Sequence, residues 1–304
     1  MTEKTLNLAA IDIGSNAARL LIKSLSEEKD GIHFSKLLFL RIPLRLGMDV
    51  FSSGKISDEK KSHFVHTMQA FAHLMKAYNV QCYKACATSA MREAKNNREV
   101  LELARQKSKL KIELISGEEE SRIIYENHLN LLQLKGHFLF VDVGGGSTEI
   151  ALMMDGIKIA NASYNVGAIR LLKENADGEE LKKMEKELRE ITQECSNLTI
   201  IGSGGNIGKI YRIVSKSRKD DDVIPIETLE KFYQKIHKME IEERMRLYDL
   251  KSDRADVIEP AAKIFLRIAK CSGAKQILVP NLGLTDGLIS ELGRKYFQKG
   301  GDLF

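Results

Sequence analysis

Two short stretches of this chain carry the residue types that phosphate and metal chemistry need. One reads Asp12-Ile13-Gly14-Ser15-Asn16; the other, starting 130 residues later, reads Asp142-Val143-Gly144-Gly145-Gly146-Ser147. In each, an apolar run ends in Asp, a β-branched residue follows, and a turn of small residues begins. Small residues let such a turn take positive φ, with its N–H groups converging on an anion. The neighbouring Asp can recruit a divalent cation, usually through water. One copy would mean little, because Asp-X-Gly occurs in ordinary hairpins. Two copies predict two half-sites that face each other around a phosphate chain.

Two further stretches deserve a chemical reading. In Ile115-Ser116-Gly117-Glu118-Glu119-Glu120-Ser121-Arg122, Ser116 and Glu119 stand at capping-box spacing. Glu118 suits a first helical turn through the helix dipole. Glu120 lies one step further round and has no capping role. The run Gly202-Ser203-Gly204-Gly205-Asn206-Ile207-Gly208 leads into a helix whose Lys209, Arg212 and Lys216 share one face. A helix N-terminus behind a glycine turn is an anion site, with Lys209 as its nearest cation. The alternative is a close-packed turn with a solvated basic face. Asp220-Asp221-Asp222 reads as a solvated loop.

The elements that must position these residues repeat as well. Each half reads strand, small-residue turn, strand, turn, strand, followed by alternating helices and strands. In the first half helices are expected over 58–78 and 98–109, strands over 80–87 and 111–115, and a helix over about 117–134. In the second, helices are expected over 168–174, 179–196, 205–215, 226–238 and 254–271, strands over 198–202 and 276–280, and a last helix from 285. The pattern predicts an α/β protein of two duplicated β-β-β-α-β-α-β-α domains, each a partly parallel sheet covered by helices. The boundary is expected near 125, giving domains 1–125 and 126–304, with the last helix, 285–297, returning to the first.

Composition narrows the function classes. The 304 residues are 43% hydrophobic and 29% charged, ordinary for a soluble globular chain. No apolar stretch approaches the length of a membrane span, and residues 1–4 offer no signal peptide. The net charge of +5 comes from mixed signs, and no aromatic-basic platform or zinc pattern suggests a nucleic-acid partner. Cys82, Cys86, Cys195 and Cys271 have neither zinc nor disulfide spacing, so the expected compartment is the reducing cytoplasm.

Taken together, the segments 10–22, 87–96, 115–125, 140–152 and 201–210 resemble the exopolyphosphatase/guanosine pentaphosphatase (Ppx/GppA) family. The resemblance rests on Asp12-Ile13-Gly14-Ser15-Asn16, on Ala87-Thr88-Ser89-Ala90-Met91-Arg92-Glu93-Ala94 and on Asp142-Val143-Gly144-Gly145-Gly146-Ser147-Thr148-Glu149, in family order. It implies two ribonuclease H-like domains of the actin, sugar kinase and heat-shock ATPase superfamily around a central cleft. The length matches the short members, without the C-terminal helical extension. By the same resemblance the third Glu of its motif, Glu120, is the catalytic carboxylate, activating water. Phosphate contacts fall to Ser15, Asn16, Gly144, Gly145, Gly146, Ser147 and Lys209, and Arg92 is expected to assist with its planar fork. Asp142 and Glu149 are the expected ligands of Mg2+ (or Mn2+), with Asp12 joining through water. For Asp142 and Glu149 the plainer reading is a pair of turn-stabilising acids; for Arg92 it is a salt bridge to Glu93 or Glu118.

The implied activity is release of orthophosphate from the end of inorganic polyphosphate. A guanosine pentaphosphate 5'-phosphohydrolase uses the same terminal phosphoanhydride chemistry. A non-catalytic nucleotide-binding regulator of the actin kind is the alternative from another class. Family members are often homodimers, and no membrane partner is expected. Three departures from the family pattern bear on substrate preference: Ala17 for Ser, Asn206 for Thr, and Gly283-Leu284-Thr285-Asp286-Gly287 for Gly-Leu-Arg-Glu-Gly.

Overall fold

Strand β1 (Leu6–Ile13) is apolar on both faces because it sits inside a sheet. The computed structural model describes residues 5–28, 31–131, 136–173, 178–215, 222–280 and 282–298. The expected helical residues 132–134 and 174, Lys216, Asp220, Asp221 and the tail 299–304 lie outside them. The chain divides into two units, 1–116 with 284–304 and 117–283.

In the first unit β1 is followed by β2 (Ala17–Glu28), β3 (Gly31–Pro43), α1 (Leu46–Ser53), α2 (Asp58–Ala77), β4 (Cys82–Ala87), α3 (Ser89–Glu93), α4 (Asn97–Ser108) and β5 (Glu113–Leu114). The sheet order is β3-β2-β1-β4-β5, with β1–β2 and β2–β3 antiparallel and β1–β4 and β4–β5 parallel. Helix α2 starts at Ser57, whose side chain accepts from the Lys60 N–H, and buries Phe64, Val65, Met68, Phe71 and Met75 from one face. These join Ala9, Ile11 and Ile13 of β1 in one core. The last helix, α13 (Leu284–Gln298), packs on β1, β2 and β4. Lys23–Asp286 at 2.8 Å and Lys84–Glu291 at 2.7 Å tie it down. Gly293 lets it approach, since a Cβ there would lie 3.2 Å from Leu25 Cδ1.

The second unit runs α5 (Gly117–Leu131), β6 (His137–Val143), β7 (Thr148–Met154), β8 (Ile157–Tyr164), α6 (Ala168–Lys173), α7 (Glu179–Thr192), β9 (Thr199–Ser203), α8 (Gly205–Val214), β10 (Val223–Pro225), α9 (Ile226–His237), α10 (Ile241–Tyr248), α11 (Ser252–Ala255), α12 (Ile258–Ser272) and β11 (Gln276–Leu278). Its sheet order is β10-β11-β9-β6-β7-β8, with β6–β9 and β9–β11 parallel and the other pairs antiparallel. Helix α12 is its apolar hub, packing on α6, α7, α8, α9 and β6.

The duplicated plan stands, with corrections. Residues 117–125, placed in the first domain by sequence, fall in the second unit because α5 packs on β7 and β8. Helices α1, α3 and α10 were not expected; α10 buries no residue and so offers no apolar period to read. The expected helix 254–271 breaks at Asp256-Val257 into α11 and α12. The expected strand 111–115 shrinks to two exposed residues. Burial pushes the Cys86 thiol up to about 12, as suits an inert core cysteine.

Candidate active site

The β6–β7 hairpin of the second unit is closed by the Gly144 N–H donating to the Ser147 carbonyl at 2.9 Å. Helix α6 then takes the tip by its carbonyls. Gly144 O accepts from the Ala168 N–H at 3.0 Å, Gly145 O from the N–H groups of Ile169 at 2.8 Å and Arg170 at 3.1 Å. Gly146 O accepts from Arg170 Nε at 3.0 Å. With its carbonyls committed to α6, the tip has the N–H groups of Gly145, Gly146 and Ser147 left without an acceptor among the described residues. These can receive anionic oxygens.

This corrects the expected cradle in two respects. The Gly144 N–H is spent inside the hairpin. The tip glycines Gly14 and Gly144 do not adopt positive φ. What the second tip needs is space: a Cβ on Gly167 would lie 2.5 Å from the backbone of Gly145 and Gly146.

Behind the tip, Asp142 and Glu149 stand opposite each other in register. Glu149 is buried and Asp142 half-buried. Ser203 Oγ donates to Asp142 Oδ2 at 3.2 Å, and Ser163 Oγ donates to Glu149 Oε1 at 3.0 Å. Gly204, with φ 97°, is the one place here where left-handed backbone is required; a Cβ would lie 2.6 Å from Asp142 Oδ1. A pocket runs from Ser121 and Ile124 past Phe140 and Val141 to Asp142, Glu149, Ile201 and Ser203.

The acidic motif opens α5 beside this pair. Gly117 sits on Ser163, where a Cβ would collide with the serine side chain and lie 3.6 Å from Glu149 Oε1. Glu118 is exposed. Glu119, read as a capping residue, forms a bidentate pair with Arg122 at 2.7 and 2.8 Å. Glu120 is half-buried in the same turn as Ser121. Among the described residues no group of three or more His, Cys, Asp or Glu forms a ready-made metal cage. A pair of hard carboxylate oxygens fits magnesium, which keeps several waters and takes one or two carboxylates.

In the first unit the corresponding hairpin closes by the Gly14 N–H on the Ala17 carbonyl at 3.1 Å. Asp12, buried, is ion-paired with Arg19 across the strands. Ser15 Oγ shares a 2.8 Å hydrogen bond with Ser89 Oγ and accepts the Ala90 N–H at 3.3 Å, so this hydroxyl is held inside the fold. The Asn16 carbonyl accepts from the Arg45 N–H at 2.9 Å. Arg92 donates through Nη1 to the Ile115 carbonyl at 2.7 Å, a backbone partner where a carboxylate was the plain expectation. Lys209 meets the Asp249 carbonyl at the end of α10 at 3.3 Å, and Arg212 turns back onto Gly208 of its own helix.

The structure thus brings Asp142, Glu149, Gly145, Gly146, Ser147 and the Glu120 turn into one unit. Sequence reasoning missed Asn161, Ser163, Gly167, Arg170 and Ser203. Ser163 was one residue from being legible: counted outward from the Asp155-Gly156 turn, Glu149 pairs with Ala162. An irregularity between Leu152 and Met153 shifts the register to Ser163.

The model of the Ppx/GppA phosphatase family matches residues 25–295. A bifunctional 3-dehydroquinate synthase/phosphatase of Fusobacterium nucleatum is 30% identical over 172 residues, 54% of this chain and 25% of that protein. Exopolyphosphatase 1 of Mycobacterium tuberculosis is 30% identical over 170 residues, 56% of this chain and 48% of that one. The chain therefore spans a quarter of the first relative's length and about half of the second's. A crystal structure of the Aquifex aeolicus Ppx/GppA family member superposes with a TM-score of 0.76 at 26% identity, covering 96% of this chain and 99% of the other. Both units carry a ribonuclease H-like five-strand plan, to which the second adds β10 at one edge, and the chain belongs to the Ppx/GppA phosphatase family.

Proposed function

We propose that this protein hydrolyses the terminal phosphoanhydride of inorganic polyphosphate, releasing orthophosphate. The observation that carries the reading is the Asp142–Glu149 pair, set in register behind a hairpin tip with open N–H groups and beside the Glu120 turn, all in one unit. Phosphoanhydride hydrolysis asks for little else: a positioned water, charge neutralisation on the transferred group and in-line geometry. Glu120 takes the proton of the attacking water as its oxygen joins the terminal phosphorus. The bond to the bridging oxygen breaks, and the shortened chain leaves with that oxygen. The N–H groups of Gly145, Gly146 and Ser147, with the Ser147 hydroxyl, hold the phosphoryl oxygens. Magnesium held by Asp142 and Glu149 would supply positive charge to those oxygens. Mycobacterium tuberculosis Exopolyphosphatase 1, similar over half of this chain, supports the substrate class.

Phosphate release from the purified protein is to be compared on long polyphosphate, tripolyphosphate, guanosine pentaphosphate and ATP. Polyphosphate is expected to be the fastest substrate. Faster release from guanosine pentaphosphate would transfer the assignment to the nucleotide, and no release from any of them would favour a non-catalytic regulator. Glu120→Gln should lower turnover about 10²–10⁴-fold while polyphosphate still binds, since a general base contributes that much.

A further inference from the structure

Strand β8 lies at the edge of its sheet, and Ile157 and Ile159 near its start are exposed. Beyond them the strand turns polar: Asn161 and Ser163 are two residues apart and so face the same side. Both reach α5, and they do so around Glu120. Ser121 Oγ donates to Asn161 Oδ1 at 2.6 Å, and Asn161 Nδ2 donates to the Glu118 carbonyl at 3.4 Å. One amide side chain therefore grips the residue after Glu120 and the backbone two residues before it. Ser163 lies against Gly117, whose missing Cβ makes the contact possible, and its hydroxyl continues to Glu149 Oε1 at 3.0 Å. The first turn of α5 is thus fastened on both sides of Glu120, to the same strand that holds Glu149.

We infer that Asn161 and Ser163 are positioning residues, which hold Glu120 at a fixed place relative to Glu149. This rests on the reading of Glu120 as the water-activating base. First turns of helices fray when left to themselves, and a base displaced by about 1 Å can lose about 10²-fold in rate. Tying the turn to β8 prevents that. Buried Ser121 cannot do so alone, because its hydroxyl needs the Asn161 acceptor to define its direction.

The test measures kcat and KM on long polyphosphate for Asn161→Ala and Ser121→Ala, each in the natural and the Glu120→Gln background. Asn161→Ala should lower kcat about 10–100-fold with KM little changed. Ser121→Ala should lower it similarly, and the double variant should be no slower than the slower single one. Asn161→Asp keeps the acceptor for Ser121 and should recover part of the rate. In Glu120→Gln protein the Asn161→Ala loss should vanish, because the residue acts through the base that is already gone. A purely structural role would lower both backgrounds alike. Equal losses in both, or an unchanged kcat in the natural background, would overturn the inference and leave the hydrolase reading intact. A fully active Glu120→Gln would overturn the assignment of the base itself. Should Asn161→Ala not fold, Ser121→Ala in the two backgrounds carries the same decision.

Discussion

The two hairpin tips share a backbone and differ in charge. Each is closed by a glycine N–H on the carbonyl three residues later, Gly14 to Ala17 and Gly144 to Ser147. Each offers tip carbonyls to the backbone N–H groups of the next helical segment, Arg45 and Gly47 in the first unit, Ala168 to Arg170 in the second. Each places an Asp two residues before the tip glycine. Across the strands from Asp12 stands Arg19; across from Asp142 stands Glu149. The first tip thus sets an acid against a base across its strands, and the second sets two acids against each other. The scaffold occurs twice, and under the proposed function the side chain opposite the Asp is what assigns the metal to the second tip.

Among changes at the two hairpins, the largest effects should come from breaking the acid pair. Asp142→Asn and Glu149→Gln are expected to cost about 10²–10³-fold in phosphate release at fixed magnesium, the scale of removing charge stabilisation from a transition state. Part of the loss should return as magnesium is raised. Gly167→Ala should act differently, because its Cβ would push into Gly145 and Gly146 and displace the tip N–H groups. A loss of up to about 10²-fold is expected from misplacement, without rescue by magnesium. Equal rescue of the acids and the glycine would erase the distinction between metal ligands and cradle.

The balanced tip should show its role in stability instead. Arg19→Met leaves the buried Asp12 carboxylate without its ion-pair partner and should cost roughly 1–3 kcal/mol in denaturant unfolding. Its magnesium requirement should match that of the unchanged protein. A raised requirement would mean that the first hairpin also governs the metal. Smallest of all, Glu119→Gln removes one half of a partly exposed helical ion pair with Arg122 and should cost only about 0.3–0.5 kcal/mol, with turnover kept.

Much of this was legible in the residues. The repeated Asp and small-residue turns marked both hairpins, and alternating elements marked two mixed sheets. The roles of the tip glycines were not legible as written. Positive φ was expected at the tips, whereas the observed need at the second is the close approach of Gly167, the residue just before α6. The partner of Asp12 was hidden because Arg19 reads as an ordinary strand residue until the register is known. Asn161 and Ser163 were hidden by the irregular register of β7 and β8, which no local pattern announces. Long-range packing decided these points, and spacing along one strand does not encode it.

The central claim is that the second hairpin recruits the cation and the first does not do so alone. Mn2+ binding, followed by electron paramagnetic resonance as a stand-in for magnesium, tests it without reference to activity. The unchanged protein, Asp12→Asn, and the double variant Asp142→Asn/Glu149→Gln are to be titrated side by side. The double variant should bind at least about 10-fold more weakly, the scale on which even outer contacts to a metal matter, and Asp12→Asn should bind nearly as the unchanged protein does. Normal binding by the double variant with binding lost in Asp12→Asn would contradict the account.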